Sequence, residues 1–134
     1  AVLTGGGLNH RIGLDDGILI KENHIAAAGG IAPALKAATA IGRNVPIEIE
    51  VENMHELEQA IEAGAPMILL DNFSTSAMAE AVRINQWRAI LEASGGITLE
   101  NVRAIALTGV DRISVGSLTK NIQAIDLSMR FTSS

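Results

Sequence analysis

The segment Ile47-Glu-Ile-Glu-Val-Glu52 alternates strictly. As a strand it sets its aliphatic residues on one face and Glu48, Glu50 and Glu52 on the other. On a lone antiparallel sheet such an acidic face would be solvated. In a parallel sheet covered on both sides, three carboxylates repel one another and need cations, a metal or a polar cavity. Asp71 closes the next apolar run, Met67-Ile-Leu-Leu-Asp71, and can face the same mouth, although an Asp just past a strand is also a common turn-former. Hard carboxylates on adjacent strands, Glu50 and Asp71, suit Mg²⁺, which favours a few oxygen ligands plus substrate phosphates.

Cationic groups stand at matching places. Lys21 ends the run Gly17-Ile-Leu-Ile-Lys21, and a buried strand rarely carries Lys without a partner. The glycine-rich segment Gly5-Gly-Gly-Leu-Asn-His-Arg11 brings His10 and Arg11, and Arg binds carboxylate or phosphate bidentately. Two further turns, Ser94-Gly95-Gly96 and Gly116-Ser117-Leu118, follow apolar runs. Glycine lets backbone approach a ligand, and paired phosphate loops after the last strands recur in barrels. No GxxxxGK[ST] loop occurs. His10, His24 and His55 lack zinc-ligand spacing; His55 falls on the polar face of a helical pattern and His24 beside the expected mouth. No Ser or Cys nucleophile has a matched base. Arg11, Lys21 and His10 set against Glu50 and Asp71, with two phosphate turns, describe a site for an anionic, phosphorylated ligand with Mg²⁺, and hence phosphoryl or glycosyl-phosphate chemistry.

The elements that must position these groups repeat. Short β-branched runs begin near residues 18, 46, 67, 88 and 112, and helical patterns lie between them: an Ala-rich one over 31–41, one from Met54 to Gly64, one from about Ser76, and one from Thr98 to near Gly109. Repeated βα units of this length predict an α/β fold with parallel strands and right-handed crossovers. The choice lies between a doubly wound sheet and an arc of a β/α barrel. A closed barrel takes roughly 250 residues, and 134 are present, so the barrel reading is a partial, open one.

Composition narrows the function classes. The chain is 48% hydrophobic and 19% charged, which supports a packed core rather than a disordered tail. Phe73, Trp87 and Phe131 are its only aromatic residues, too few for a base-stacking platform. A net charge of −5 argues against a protein that coats duplex nucleic acid. There is no Cys, hence no disulfide framework or thiolate metal site. No run approaches a membrane span and none reads as a secretion signal, so a cytoplasmic domain without membrane or nucleic-acid partners is expected.

Gly5-Gly-Gly-Leu-Asn-His-Arg11, Leu19-Ile-Lys-Glu-Asn-His24, Glu48-Ile-Glu-Val-Glu52, Leu70-Asp-Asn72, Ser94-Gly-Gly-Ile97 and Ser114-Val-Gly-Ser-Leu-Thr119 occur in the order and spacing of the quinolinate phosphoribosyltransferases. The sequence resembles that family over essentially its whole length. The resemblance implies the C-terminal part of an open α/β barrel, residues 1–134 forming one partial barrel domain. The family's N-terminal domain, its first barrel elements and its Arg-Lys-Thr motif do not occur in the sequence, and Lys120 stands where many relatives have His.

The implied reaction takes quinolinate and phosphoribosyl pyrophosphate, with Mg²⁺, to nicotinate mononucleotide, pyrophosphate and carbon dioxide in NAD synthesis, in homodimers or larger homo-oligomers that complete each other's sites. By motif, Lys21, Glu50 and Asp71 would be catalytic, with Glu50 and Asp71 at the metal. His10, Arg11 and Lys21 would receive quinolinate and part of the donor, while Ser94, Gly95, Gly96, Gly116, Ser117 and Leu118 would hold phosphate. The alternatives are a related molybdenum-transport protein of the same fold, a non-catalytic phosphoribosyl-binding module, and a structural half-barrel.

Overall fold

Residues 2–13, 15–41 and 44–131 are described by the structure, a computed structural model. Five short strands form one parallel sheet: β1 (Ile18–Ile20), β2 (Ile47–Val51), β3 (Met67–Asp71), β4 (Ile90–Ser94) and β5 (Arg112–Ile113). Between and after them lie α1 (Glu22–Ala28), α2 (Ile31–Ala40), α3 (Met54–Glu62), α4 (Thr75–Asn85), α5 (Val102–Ala106) and α6 (Ser117–Lys120). The strands lie side by side in chain order, each parallel to the next. That order decides between the two architectures. A doubly wound sheet reverses direction at a switch point, whereas an unbroken sequence of right-handed crossovers winds one way, as an arc of a barrel does.

The apolar parity of the strands fixes which face the helices cover. Ile20, Ile49, Val51, Ile68, Leu70, Leu91 and Ala93 are buried with Ile31 and Leu35 of α2, Leu57 and Ile61 of α3, and Met78 and Ala81 of α4. Each such large side chain contributes about 1.5–3 kcal/mol by leaving water. The alternate residues, Leu19, Glu48, Glu50, Leu69, Asp71, Glu92 and Ser94, belong to the opposite, inner face.

Local signals set the helix boundaries. Asn53 caps α3, its Oδ1 accepting the Glu56 N–H at 3.0 Å, while the Glu56 carboxylate accepts the Glu52 N–H at 2.9 Å. Ser74 caps α4 by accepting the Ala77 N–H at 3.2 Å, so this helix starts one residue ahead of the expected Ser76. The expected helix from Thr98 is shorter, because the Asn101 side chain takes the Thr98 N–H at 2.8 Å and turns residues 98–101 before α5 begins at Val102. Two helices were not expected. α1 follows Lys21 directly, with the Lys21 N–H donated to His24 Nδ1 at 3.0 Å, and ends at Gly29 in the left-handed region (φ 83°). The single turn of α6 takes up the segment read as a loop at Gly116-Ser117-Leu118. Among the described residues, no helix is long and apolar enough to cross a membrane.

Candidate active site

Register lines up the inner-face groups. Glu50 lies beside Leu69 of β3, Leu69 beside Glu92 of β4, and Glu92 beside Arg112 of β5; one pleat further on, Asp71 pairs with Ser94. Lys21, immediately after β1, donates from Nζ to Glu50 Oε2 at 2.7 Å. The Lys21 side chain is 45% exposed and that of Glu50 only 12%. The ammonium pKa is raised above its usual value, chiefly by the hydrogen bond to Glu50, against an opposing effect of burial; the charges of Glu50, Glu22 and Asp71 add to the rise. A small cavity of about 160 Å³ adjoins this pair, lined by Glu22, Ile25, Ala26, Glu50, Glu52 and Glu56.

Asp71 and the first glycine turn form a second part of the mouth. Asn72 adopts a left-handed conformation (φ 55°), donates its side-chain amide to Asp71 Oδ2 at 2.9 Å and its backbone N–H to the Ser94 carbonyl at 3.0 Å. Gly95 packs against this residue. A Cβ on Gly95 would fall 2.1 Å from Asn72 Oδ1 and 2.9 Å from its backbone nitrogen, and its φ of +92° already favours glycine. Gly96, at φ +58°, has open space where a Cβ would go. The turn thus approaches the Asp71 strand end closely and leaves its outer side unfilled.

His10 and Arg11 lie elsewhere. The His10 ring nitrogen Nε2 is 2.7 Å from Glu92 Oε1 and 3.7 Å from Glu48 Oε2, while the Ser114 hydroxyl donates to the same Glu92 oxygen. Arg11 donates to the Gly17 carbonyl at 3.3 Å. Both line a cavity of about 300 Å³ with Ile18, Pro46, Met67 and Arg112, toward the amino-terminal ends of the strands rather than at the Lys21–Glu50 mouth. Next in the chain, Asp16 accepts the Ile12 and Gly13 N–H groups; these bonds keep its carboxyl pKa below the usual value.

The structure therefore brings Lys21 and Glu50 into contact and sets Asp71 beside Ser94 and Gly95. His10 and Arg11 form a separate group, and Gly116, Ser117 and Leu118 occupy α6 and its N-cap after β5. His55 is on the exposed side of α3, 3.1 Å from Gln59, and His24 serves the start of α1. Glu92 and Ser114 escaped the sequence reading as site residues. The signal for Glu92 was available: a carboxylate in the middle of the apolar run Ala89-Ile-Leu-Glu-Ala93 has to face something polar.

The Glu50 and Asp71 donor set fits a hard divalent cation. Both supply carboxylate oxygens from neighbouring strands at the carboxyl end of the sheet, and the hydrogen bonds seen engage Glu50 Oε2 and Asp71 Oδ2. A Mg²⁺ bound mainly through water and ligand phosphates requires only one or two such carboxylates.

Residues 1–130 match the family model "Quinolinate phosphoribosyl transferase, C-terminal domain". The chain is 47% identical over 133 residues to the probable nicotinate-nucleotide pyrophosphorylase [carboxylating] of Bacillus subtilis, covering 98% of this chain and 46% of that protein. It is 42% identical over 132 residues to the nicotinate-nucleotide pyrophosphorylase [carboxylating] of Mycobacterium leprae, covering 96% of this chain and 46% of that protein. A solved nicotinate-nucleotide pyrophosphorylase from Francisella tularensis superposes with a TM-score of 0.91 at 54% identity, covering 95% of this chain and 45% of the other. The chain spans about half the length of the curated relatives it matches.

Proposed function

The chain belongs to the quinolinate phosphoribosyl transferase family, matching its C-terminal domain, and from that membership we propose that it carries the donor side of a phosphoribosyl-transfer site. In the whole enzyme the reaction joins the quinolinate ring nitrogen to the ribose carbon of phosphoribosyl pyrophosphate and breaks the bond from that carbon to pyrophosphate. The ring then loses a carboxylate as carbon dioxide and takes a proton in its place, leaving nicotinate mononucleotide. The observation that carries this reading is the 2.7 Å ion pair of Lys21 and Glu50 beside Asp71 at the carboxyl ends of adjacent strands, where parallel α/β folds bind their ligands.

Each residue has a physical task. Positive charge develops on the ribose carbon as pyrophosphate departs, and the Glu50 and Asp71 carboxylates, fixed at the ends of β2 and β3, stabilise it without reorganising. Lys21 holds Glu50 in place through its hydrogen bond and, with its half-exposed ammonium, attracts an anionic ligand. Glu50 and Asp71 would hold Mg²⁺, which when bound supplies neutralising charge for the pyrophosphate oxygens. The amides of Ser94, Gly95 and Gly96 and the segment Gly116, Ser117 and Leu118 serve as phosphate contacts, the open side of Gly96 giving room for close approach. His10 and Arg11 are the cations for the quinolinate carboxylates. That role asks the 5–11 segment to present them at the mouth, away from Glu92 and the Gly17 carbonyl, which they contact here. Electrons leaving with the carboxylate are taken up by the positively charged ring nitrogen, so positioning supplies much of the rate. The proposal includes a homodimer or larger homo-oligomer acting in the cytoplasm.

The test is a calorimetric titration of the chain with phosphoribosyl pyrophosphate and Mg²⁺, repeated on Glu50→Ala. Saturable heat that the variant loses supports a donor site built from these residues. A folded chain that gives no heat, or a variant that binds equally well, overturns it.

A further inference from the structure

Asn72 stands between two parts of the mouth, the Asp71 carboxylate and the glycine turn after β4. Among the described residues, three that are not glycine have positive φ: Asn72, Gln86 and Trp87. Gln86 and Trp87 follow α4 and lead into the start of β4, whereas Asn72 comes directly after β3, at the carboxyl end of the sheet. The left-handed region is open at low cost to Gly, Asn and Asp. Gly would make the turn without a side chain, and Asp would set a second carboxylate against Asp71. Asn alone of the three brings a donor. An ionised carboxylate can only accept, so the Asn72 amide donates from Nδ2 to Asp71 Oδ2 at 2.9 Å and turns Oδ1 the other way. There the side chain fills the space that a Gly95 side chain would need; a Cβ on Gly95 would overlap Oδ1 and lie 2.7 Å from Cγ. The Asn72 backbone N–H adds a third tie, to the Ser94 carbonyl at 3.0 Å.

We propose that Asn72 is a positioning residue: it locks the Asp71 carboxylate to the Ser94-Gly95-Gly96 turn, so that a divalent cation on Asp71 and a phosphate on the turn are presented at one fixed separation. The inference rests on the proposed donor site for the ligand it serves, a phosphate ester or pyrophosphate that chelates a divalent cation. Such a ligand meets the carboxylate and the turn at once. Mg²⁺ needs only one or two protein carboxylates when phosphates complete its shell, so the placing of the Asp71 oxygens against the turn decides how well the ligand fits. The amide engages Oδ2 and leaves Oδ1 to the cation. Gly95 is the counterpart, since a side chain there would push Asn72 off Asp71. Asn72 is exposed, and water can replace its hydrogen bond at small cost to folding. What its removal costs is orientation, and the effect falls on ligand affinity rather than on stability.

The experiment compares the 134-residue chain with Asn72→Gly, which keeps the left-handed backbone and removes only the side chain. Calorimetric titration with phosphoribosyl pyrophosphate in saturating Mg²⁺ is expected to show about tenfold weaker binding by the variant, the lower end for an outer partner of a metal ligand. The unfolding temperature should stay within a few degrees of wild type. A second readout needs neither ligand nor metal. Asp71→Ala is expected to shift the Gly95 and Gly96 amide resonances in the wild-type background, and to shift them less than half as far in the Asn72→Gly background. Equal affinity of Asn72→Gly and wild type, or resonance shifts that persist at full size without the Asn72 side chain, would overturn the proposal. So would a large drop in the unfolding temperature of Asn72→Gly, which would make the residue part of the fold rather than of the site. A folded wild-type chain that gives no heat removes the donor site, and the resonances then decide the link between Asp71 and the turn by themselves.

Discussion

Lys21 and Glu50 share one contact, yet removing either partner should not cost the same. The ammonium is 45% exposed and the carboxylate 12%. In Glu50→Gln the ammonium turns to water and the Gln carbonyl can still accept from it, so the loss is that of a partly solvated pair, about 0.5–1 kcal/mol. In Lys21→Met the carboxylate stays behind, largely out of water and without its cation, and the asymmetry of hydrogen-bond deletion sets the cost at about 1.5–3 kcal/mol. The double variant removes the stranded charge and should be more stable than Lys21→Met by about 1–2 kcal/mol. Urea unfolding of the four proteins in EDTA at pH 7.5 closes the cycle, provided the slopes agree. Glu50→Gln destabilising as much as Lys21→Met, or a double variant no better than Lys21→Met, would refute the assignment of Glu50 as the buried, dependent partner.

The Gly95 and Gly96 turn gives a second ordered pair. Gly95→Ala meets both a left-handed backbone and the Asn72 side chain and should cost about 3 kcal/mol, against about 1 kcal/mol for Gly96→Ala, which meets only the backbone term; equal unfolding midpoints would show that Asn72 yields freely. Burial first, and then the Glu92 carboxylate, push the Glu48 carboxyl up to about 7 from a usual 4.5, with His10 and Arg112 pulling the other way. The folded state then holds a proton that the unfolded chain releases, so metal-free stability should fall as pH rises from about 4.5 to about 7. Glu48→Gln should flatten that fall and exceed wild type at pH 8, and an unchanged slope would place the titration in another group. In the core, Leu70 is fully buried between β3 and the helices, and Leu70→Ala should cost about 2–5 kcal/mol in the same urea assay.

Period-2 and period-3.6 patterning made the five strands and the three longer helices legible, because each buries one face on a continuous core. Winding was not legible: the spacing of βα units fits a barrel arc and a doubly wound sheet equally, and only the side-by-side order of β1 to β5 separates them. α1 stayed hidden because its seven residues bury no side chain fully, leaving no apolar period to find. The Thr98 start failed for a competing local bond. Asn101 took the Thr98 N–H, so the cap signal was spent on a turn. At the site, Lys21 and Asp71 were readable because each ends an apolar run, where polarity has few structural reasons, and Glu50 because it belongs to the acidic face of the alternating Ile47-Glu-Ile-Glu-Val-Glu52. Glu92 sits inside its run and was absorbed into the strand.

That distinction bears on how the inner face works. In a closed barrel the interior is commonly filled by layers of branched aliphatic side chains; here it carries Glu48, Glu50 and Glu92, with Leu69 between the last two in register. A charged inner layer yields little packing energy, so the stability of the sheet must come from the outer face, where Ile49, Val51, Ile68 and Leu70 are fully buried under the helices. The two faces therefore divide the labour by parity along the same strands. Where compensation is built in, at Lys21 and Glu50, the carboxylate is held by its cation. Where it is incomplete, at Glu48, burial raises the carboxyl pKa instead. A single-residue register slip would exchange the two faces, burying charge under α2 and α3, and the alternation of Ile47-Glu-Ile-Glu-Val51 is what excludes it.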